Sequence, residues 1–320
     1  MKNEMTIIKS PFRLSLFGGS SDYKEFYEKH GSLIIGTTIN KYNYICIRAR
    51  PNIMAKKSVI TYSKLEEVIS FDEITNPLIK ETLKYFSPNW HVELNSFTDI
   101  PGRTGLGGSS SYCVGLCYVL RKILNLPSNK KLIANDAIKI EREILKEYGG
   151  IQDQIWASYG GTNSIQINKD GDFFVKPLPI TDDFKTQLEE SMILIYSNEQ
   201  RCSDDIALSH KNKDKSNILS IAKEAYQSFI NEDIKNIGSL LYSSWLEKKN
   251  ISPIISNNNI DNIINTCMSL GSYGAKLLGS GGCGFVLVIC NKNTKTKIEE
   301  VYKNNIMEFN FEKEGVSKIL

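Results

Sequence analysis

The run Pro101-Gly102-Arg103-Thr104-Gly105-Leu106-Gly107-Gly108-Ser109-Ser110-Ser111 constrains this chain more than any other segment. Trp90-His91-Val92-Glu93-Leu94 before it can run as a strand, and Cys113, Leu116, Cys117, Leu120 and Leu124 after it recur at helical spacing. The serines therefore fall at the start of a helix. Glycines there let backbone N–H groups converge, and the helix dipole favours negative charge, so the loop has the chemistry of an anion cradle suited to a polyphosphate. The bland alternative is a surface loop with a serine cap. Two better-known phosphate loops are excluded. No lysine precedes Ser109, as a Gly-Lys-Ser/Thr loop would need. Nor does the segment fit a dinucleotide-binding βαβ unit, with its ribose-binding acid about 20 residues on.

With 320 residues the chain can bury a sizeable core, and at about 150 residues per domain it suggests two domains. A net charge of +3 is too small to argue for nucleic acid or a membrane surface. No apolar stretch approaches the ~20 residues of a membrane span. Met1-Lys2-Asn3-Glu4-Met5 lacks the apolar run of a signal peptide. The 7 cysteines include no C-x-x-C pair and sit mostly in apolar runs, which reads as reduced core thiols of a cytoplasmic protein. His30, His91 and His210 are far apart and form no zinc pattern; each reads as a surface or packing histidine.

Along the chain, Phe12, Leu14 and Leu16 alternate with Arg13, Ser15 and Phe17, which puts Arg13 on the face opposite that apolar set. Segments 33–39 and 42–50 suggest a hairpin across Asn40-Lys41. A helix is expected near 81–86, another over 110–124, and a third over 132–148 with Ile133, Ala137, Ile140 and Ile144 as its stripe and Gly149-Gly150 as its stop. Segments 165–167 and 173–175 read as a hairpin across Asp170-Gly171. A boundary is expected near 177–183, where prolines and acids cluster. Beyond it come a strand at 192–196, helices near 217–229, 234–248 and 260–270, strands at 275–278 and 285–290, a helix near 295–302, and a strand at 308–311.

Two further segments carry chemistry. In Gly149-Gly150-Ile151-Gln152-Asp153-Gln154 a carboxylate follows a double-glycine stop and can point into a cleft. Glu141 lies on the preceding helix. Two carboxylates and a phosphate-loop serine make a reasonable Mg²⁺ and general-base set, since Mg²⁺ prefers oxygen ligands. The alternative is a solvated helix acid and a turn-forming Asp. The third segment, Gly274-Ala275-Lys276-Leu277-Leu278-Gly279-Ser280-Gly281-Gly282-Cys283-Gly284, permits close backbone approach to a ligand, or is a turn between core strands.

Together these segments resemble the GHMP kinases. The family's first motif resembles Ser10-Pro11-Phe12-Arg13-Leu14-Ser15-Leu16-Phe17-Gly18-Gly19-Ser20-Ser21-Asp22-Tyr23, its phosphate loop Pro101 to Ser111, and its third motif Gly274 to Gly284, in order and over essentially the whole chain. The resemblance implies an α+β fold of two domains: a ribosomal-S5-domain-2-like unit over 1–180 and a ferredoxin-like unit over 185–320, with the active site between them. It implies transfer of the ATP γ-phosphoryl group to a small-molecule hydroxyl. ATP would be held by Gly102, Gly105, Leu106, Gly107, Gly108, Ser109, Ser110 and Ser111, and Mg²⁺ by Ser109 and Glu141. Asp153 would take or orient the acceptor proton, with Arg13 beside it.

Gly18-Gly19-Ser20-Ser21-Asp22 and the stretch Tyr148 to Gln154 resemble the branch whose acceptor is a heptose 7-phosphate, phosphorylated at its anomeric hydroxyl. Gly18, Gly19, Ser20, Asp22, Gly281 and Gly282 would then contact the sugar, and Arg201 its distant phosphate. Fucose-type, galactose-type and non-sugar acceptors, and an inactive nucleotide-binding relative, are the alternatives. The expected partner is a small molecule, with no nucleic acid and no membrane, and the expected state a monomer or homodimer. Two departures stand out: Gly108 replaces the loop's commoner first serine, and Cys283 interrupts the third glycine run.

Overall fold

Alternating apolar residues make strands, and here they build two sheets that share one core. The computed structural model describes residues 5–51, 53, 56–198, 204–211 and 213–320. The strands are β1 (Thr6–Phe17), β2 (Ser32–Ala49), β3 (Ser58–Thr61), β4 (Leu65–Val68), β5 (Val92–Thr98), β6 (Thr162–Ile167), β7 (Phe173–Pro177), β8 (Met192–Tyr196), β9 (Gly274–Leu277), β10 (Phe285–Ile289), β11 (Ile306–Met307), β12 (Phe311–Glu312) and β13 (Ser317–Lys318). The helices are α1 (Lys24–His30), α2 (Pro77–Phe86), α3 (Gly108–Ile123), α4 (Lys130–Ile138), α5 (Gln152–Tyr159), α6 (Asp182–Glu190), α7 (Asp204–Ser209), α8 (Ser216–Ile230), α9 (Ile234–Ile251), α10 (Asn258–Ser269) and α11 (Lys292–Tyr302).

The first sheet has nine strands, with β13, β1, β2, β5, β3 and β4 in order and β6, β7 and β12 added through β2. The second has four antiparallel strands ordered β11-β8-β10-β9. Numbered within that sheet the order is 4-1-3-2, the split βαβ arrangement of a ferredoxin-like unit. Helix α3 lies flat on the first sheet because Gly115 has no side chain: a Cβ there would come within 2.8 Å of Ile45 Cδ1. On the opposite face, Phe12, Leu14 and Leu16 pack with Ala222, Ala225 and Phe229 of α8, Leu241 of α9, and Leu194 and Leu287 of the second sheet. The two sheets are thereby tied through one hydrophobic cluster. The terminal strands β12 and β13 return to the first sheet, pairing with β2 and β1.

Three sequence expectations are corrected. The hairpin across Asn40-Lys41 does not exist. Instead β2 runs unbroken for 18 residues, follows β1 past an irregularity at Pro11/Phe12, and changes its second neighbour from β6 to β5 along its length. The helix expected over 132–148 is α-helical only to Ile138, and Lys139–Ile144 forms a π-helical turn. The strand expected at 308–311 is absent over 308–310, which lie between β11 and β12. At the expected boundary, residues 178–181 connect β7 to α6, whose N-cap is Thr181.

Candidate active site

The three glycine-rich segments converge on one cavity of 310 Å³. Gly19, Ser20 and Asp22 come from the turn after β1; Gly105, Gly107, Gly108, Ser109 and Ser110 from the loop into α3; Gly279 and Ser280 from the β9–β10 connection. Arg13, Asp153, Lys248 and Lys276 also line it.

The start of α3 is open. Its N-cap is Gly107, in the left-handed region at φ +75°, and no side chain caps the first turn, which holds no acid. The leading N–H groups therefore lack intrahelical partners and face the cavity mouth, where the partial positive charge of the helix collects. Ser109 is exposed at this mouth, whereas Ser110 is buried. Not every residue of the expected cradle reaches the cavity. Leu106 is buried in the core, with its carbonyl accepting from Arg13 N at 3.1 Å. Ser111 is turned inward and donates to the Ser10 carbonyl at 2.9 Å. Gly102 is exposed and stands outside the cavity lining.

Opposite the loop, Arg13 and Asp153 form a bidentate pair. Nε donates to Oδ1 and an Nη to Oδ2, both at 2.7 Å, and the other Nη donates to the Gly105 carbonyl at 2.7 Å. Arg13 projects from the cavity face of β1, as the alternation requires. Asp153 sits in the first turn of α5. One guanidinium thus joins the phosphate loop to the candidate base. Such a pair has fixed geometry as well as charge.

Asp22 is fully buried. It accepts from Ser20 N at 3.0 Å, Gln152 N at 3.0 Å and Gln152 Nε2 at 3.1 Å. Burial pushes its carboxyl up to about 6, against these hydrogen bonds, which favour the ionised form. Gln152 is in turn held by Ser15, whose hydroxyl donates to Oε1 at 2.6 Å. Gly18 does not face the cavity: a Cβ there would overlap the Leu33 carbonyl at 1.9 Å, so it serves the close approach of β1 and β2.

Glu141 stands behind Ser110, on the π-helical turn; such turns often mark functional positions. It is 1% exposed, and burial pushes it up to about 7. Gln154 donates through Nε2 to Glu141 and, at 3.1 Å, to Ser110 Oγ, while Gln154 Oε1 is buried without a partner. This is an oxygen-rich corner with one acceptor unanswered, which fits a hard cation. Among the described residues no group of three His, Cys, Asp or Glu could hold a metal, so an Mg²⁺ here would draw its remaining ligands from phosphate and water.

Of the expected third-motif contacts, Gly281 and Gly282 pack against Ile255 and Ile206 instead, and Gly279 and Ser280 take their place at the cavity. Arg201 lies outside the described residues. His210, expected to be a surface or packing residue, is a completely buried tether: Nδ1 is 3.2 Å from Ser20 Oγ and Nε2 is 3.1 Å from the Ser280 carbonyl. The carbonyl must accept, so Nε2 carries the proton and Nδ1 accepts from Ser20. Five cysteines are free thiols as expected, but Cys283 is disulfide-bonded. Sequence reasoning also missed Gln152, Gln154, Lys248 and Lys276. Gln152 and Gln154 flank Asp153 and Lys276 sits inside the third glycine segment, so position was their only signal.

Comparison with known proteins gives the family. The GHMP kinases N terminal domain model matches residues 77–161, and the GHMP kinases C terminal model residues 225–305. The chain belongs to the GHMP kinase family. It is an ATP-dependent phosphotransferase with an alcohol acceptor, of the sugar-kinase type. It is 29% identical to the D-glycero-alpha-D-manno-heptose 7-phosphate kinase of Campylobacter jejuni, over 96% of this chain and 97% of that one. A galactokinase of Pyrococcus furiosus is 21% identical over 95% of this chain and 94% of its own length. Among solved structures, a D-glycero-D-manno-heptose 1-phosphate kinase from Bacteroides thetaiotaomicron superposes with a TM-score of 0.80 at 22% identity, covering 98% of this chain and 99% of that one. A galactokinase from Lactococcus lactis complexed with galactose gives 0.75 at 17%, covering 99% and 95%. This kinase has, among its described residues, no helix long and apolar enough to cross a membrane.

Proposed function

We propose that this kinase phosphorylates the anomeric hydroxyl of D-glycero-D-manno-heptose 7-phosphate, giving the 1,7-bisphosphate and ADP. The observation that carries the reading is the single cavity in which the open start of α3 faces the Arg13–Asp153 pair, with the Asp22 turn alongside. The similarity to the Campylobacter heptose 7-phosphate kinase, which runs the length of both chains, supports the choice of acceptor.

The chemistry follows from the placement. The amides of Gly105 and Gly107 through Ser110 hold the β- and γ-phosphates. The acceptor oxygen attacks γ-phosphorus in line, the bond to the β–γ bridging oxygen breaks, and ADP leaves with that electron pair. Asp153 takes or orients the hydroxyl proton. Arg13 keeps the carboxylate aligned and faces the charge that develops on the transferring group. Asp22, with Gly19 and Ser20, orients the sugar hydroxyls. Ser109 and Glu141, with Gln154 adjoining, would hold Mg²⁺, which neutralises phosphate charge when bound. Residues 1–180 supply the loop and base in this reading, and residues 185–320 close the acceptor side. The enzyme would work in the cytoplasm, where ATP is available.

The test is an ADP-release assay with purified enzyme over heptose 7-phosphate, free heptose, fucose, galactose and mevalonate. The highest kcat/KM is expected for heptose 7-phosphate. A preference for a free sugar would overturn the assignment of the acceptor.

A further inference from the structure

Two lysines reach the cavity with charge that no protein group answers. Lys276 on β9 and Lys248 on α9 are each 5% exposed. Lys276 Nζ donates to the Leu16 carbonyl at 2.7 Å and to Ser244 Oγ at 3.4 Å, and Lys248 Nζ donates to the Gly279 carbonyl. Ser244 and Lys248 are four residues apart on α9, so the two ammonium groups come from one turn and its neighbouring strand. An ammonium has three donors. Lys276 uses two and Lys248 one, each on a neutral oxygen, and both side chains line the cavity.

Among the described residues neither lysine makes an ion pair. The charges acting on them are cationic: Arg13 on both, and Lys276 on Lys248. Asp153, the carboxylate at this wall, is already engaged through both oxygens by Arg13. Burial, reinforced by these cations, brings Lys276 down to about 7 and Lys248 well below the ordinary range. Burying a charge is costly unless something pairs with it, and removing two ammonium groups from water beside a guanidinium compounds the cost. An arrangement of this kind is stable in its charged form when an anion sits among the cations.

Position indicates which anion. The nucleotide's phosphates have their own donors at the start of α3. Lys276 holds the carbonyl of Leu16, just before the turn that carries Gly19, Ser20 and Asp22. Lys248 holds Gly279, the neighbour of Ser280, which His210 ties to Ser20. Both lysines therefore brace the acceptor turn and the loop facing it. We infer that Lys248 and Lys276 form an anion subsite in the acceptor half of the cavity, which takes the phosphate ester of the acceptor. The identity of that ester rests on the sugar-phosphate reading above. The same phosphoryl chemistry has a second source in the γ-phosphate of ATP, and the experiment separates the two.

Inorganic phosphate is the probe. It is titrated by calorimetry into enzyme already saturated with magnesium and adenylyl imidodiphosphate, a non-hydrolysable ATP analogue that fills the nucleotide's own phosphate positions. Wild-type enzyme is expected to bind phosphate. Lys248→Met and Lys276→Gln should each weaken that binding by about 10- to 100-fold, the range for a charge-assisted contact at a buried site, with analogue affinity unchanged. No phosphate binding to the loaded wild-type enzyme would overturn the inference. So would variants that lose analogue affinity while phosphate binding persists, because the lysines would then serve the γ-phosphate. Lys276→Gln keeps a donor for Leu16. If it nevertheless fails to fold, Lys248→Met and Lys248→Gln carry the test, since Lys248 holds one carbonyl only. Lysine-dependent phosphate binding by an enzyme that turns over free heptose as well as heptose 7-phosphate would leave the subsite standing and reject the acceptor named above.

Discussion

Replacing Asp153 by Asn tests the centre of the proposed chemistry. The amide keeps the shape of the carboxylate but carries no charge, has one oxygen, and turns an N–H donor toward an N–H of Arg13. One of the two 2.7 Å contacts is lost and the other no longer joins two opposite charges. Breaking a buried pair by removing one partner costs about 3–5 kcal/mol. The Arg13 side chain is 6% exposed but that of Asp153 is 23% exposed, and the Gly105 carbonyl still holds one Nη, so about 1–3 kcal/mol is the fair expectation here. A domain with about 5–15 kcal/mol of stability survives that. The variant should therefore purify folded, bind nucleotide and show a modestly lower urea midpoint. Turnover should fall by roughly 10²–10⁴, the worth of a positioned acid–base group, which is about 3–5 kcal/mol of barrier. The assay is ADP release under saturating substrates, read beside nucleotide affinity and a urea melt. Turnover within a few-fold of wild type in a folded, nucleotide-binding variant would refute the assignment of Asp153. A double-mutant cycle with Arg13→Met then separates two roles: equal losses that do not add mean that the carboxylate acts by holding Arg13.

Other expectations follow from the same geometry. Gly150→Ala places a Cβ 1.8 Å from Asp22 Oδ2, so Asp22 must move; acceptor KM should rise more than ATP KM, and equal changes would mean that Asp22 does not contact the acceptor. Glu141→Gln should raise the Mg²⁺ concentration for half-maximal rate by about 10- to 100-fold, as losses around a metal site do; an unchanged Mg²⁺ curve would remove Glu141 from the metal's neighbourhood. Burial, with Lys248 nearby, lowers His210 from 6.5 to about 4. The unfolded chain then binds the extra proton between those values, so this contribution to stability is complete above pH 6.5 and is lost as pH falls toward 4, by at most about 3 kcal/mol. His210→Gln should flatten that limb of the urea stability profile, and an identical profile in the variant would contradict the buried neutral tether.

What could be read in the sequence was whatever depends on local pattern. The strand-loop-helix setting of Ser109, the face of Arg13 and three strands of the second sheet, β8, β9 and β10, follow from period-2 and 3.6-residue repeats, and the structure carries them. The misreadings have a common cause, which is that distant partners decided them. Asn40-Lys41 looks like a turn, but the two residues are the step in register between β2 and β1, and pairing on either side of them, with β1, β6 and β5, carries the strand through. The π-helical turn at Glu141 adds a residue to one turn, which no apolar stripe announces. Lys276 stands in plain view within a glycine-rich segment. Its burial depends on Ser244, 32 residues away, and Leu16, 260 residues away, and neither is visible from spacing.

The glycines themselves act differently from the role their sequence suggests. An anion cradle predicts glycines that make room for a ligand; Gly107 supplies the left-handed turn at the open N-cap, and a Cβ there would crowd Arg13 at 3.2 Å. Others make room for protein. A Cβ on Gly279 would stand 2.3 Å from Gly105 Cα, one on Gly105 would stand 2.6 Å from the Leu278 carbonyl, and one on Gly284 would stand 2.3 Å from the Thr104 carbonyl. The phosphate loop and the third glycine loop therefore press backbone against backbone, a contact that no residue with a side chain could make. Side chains then tie β1 and its turn to these segments: Arg13 to Gly105, His210 between Ser20 and Ser280, and Lys276 to Leu16. The shape of the phosphate loop is thus fixed partly by the second sheet's connection. In the proposed function, nucleotide and acceptor would therefore be held by loops that are packed on each other, and a side chain at Gly105, Gly279 or Gly284 would push the two loops apart.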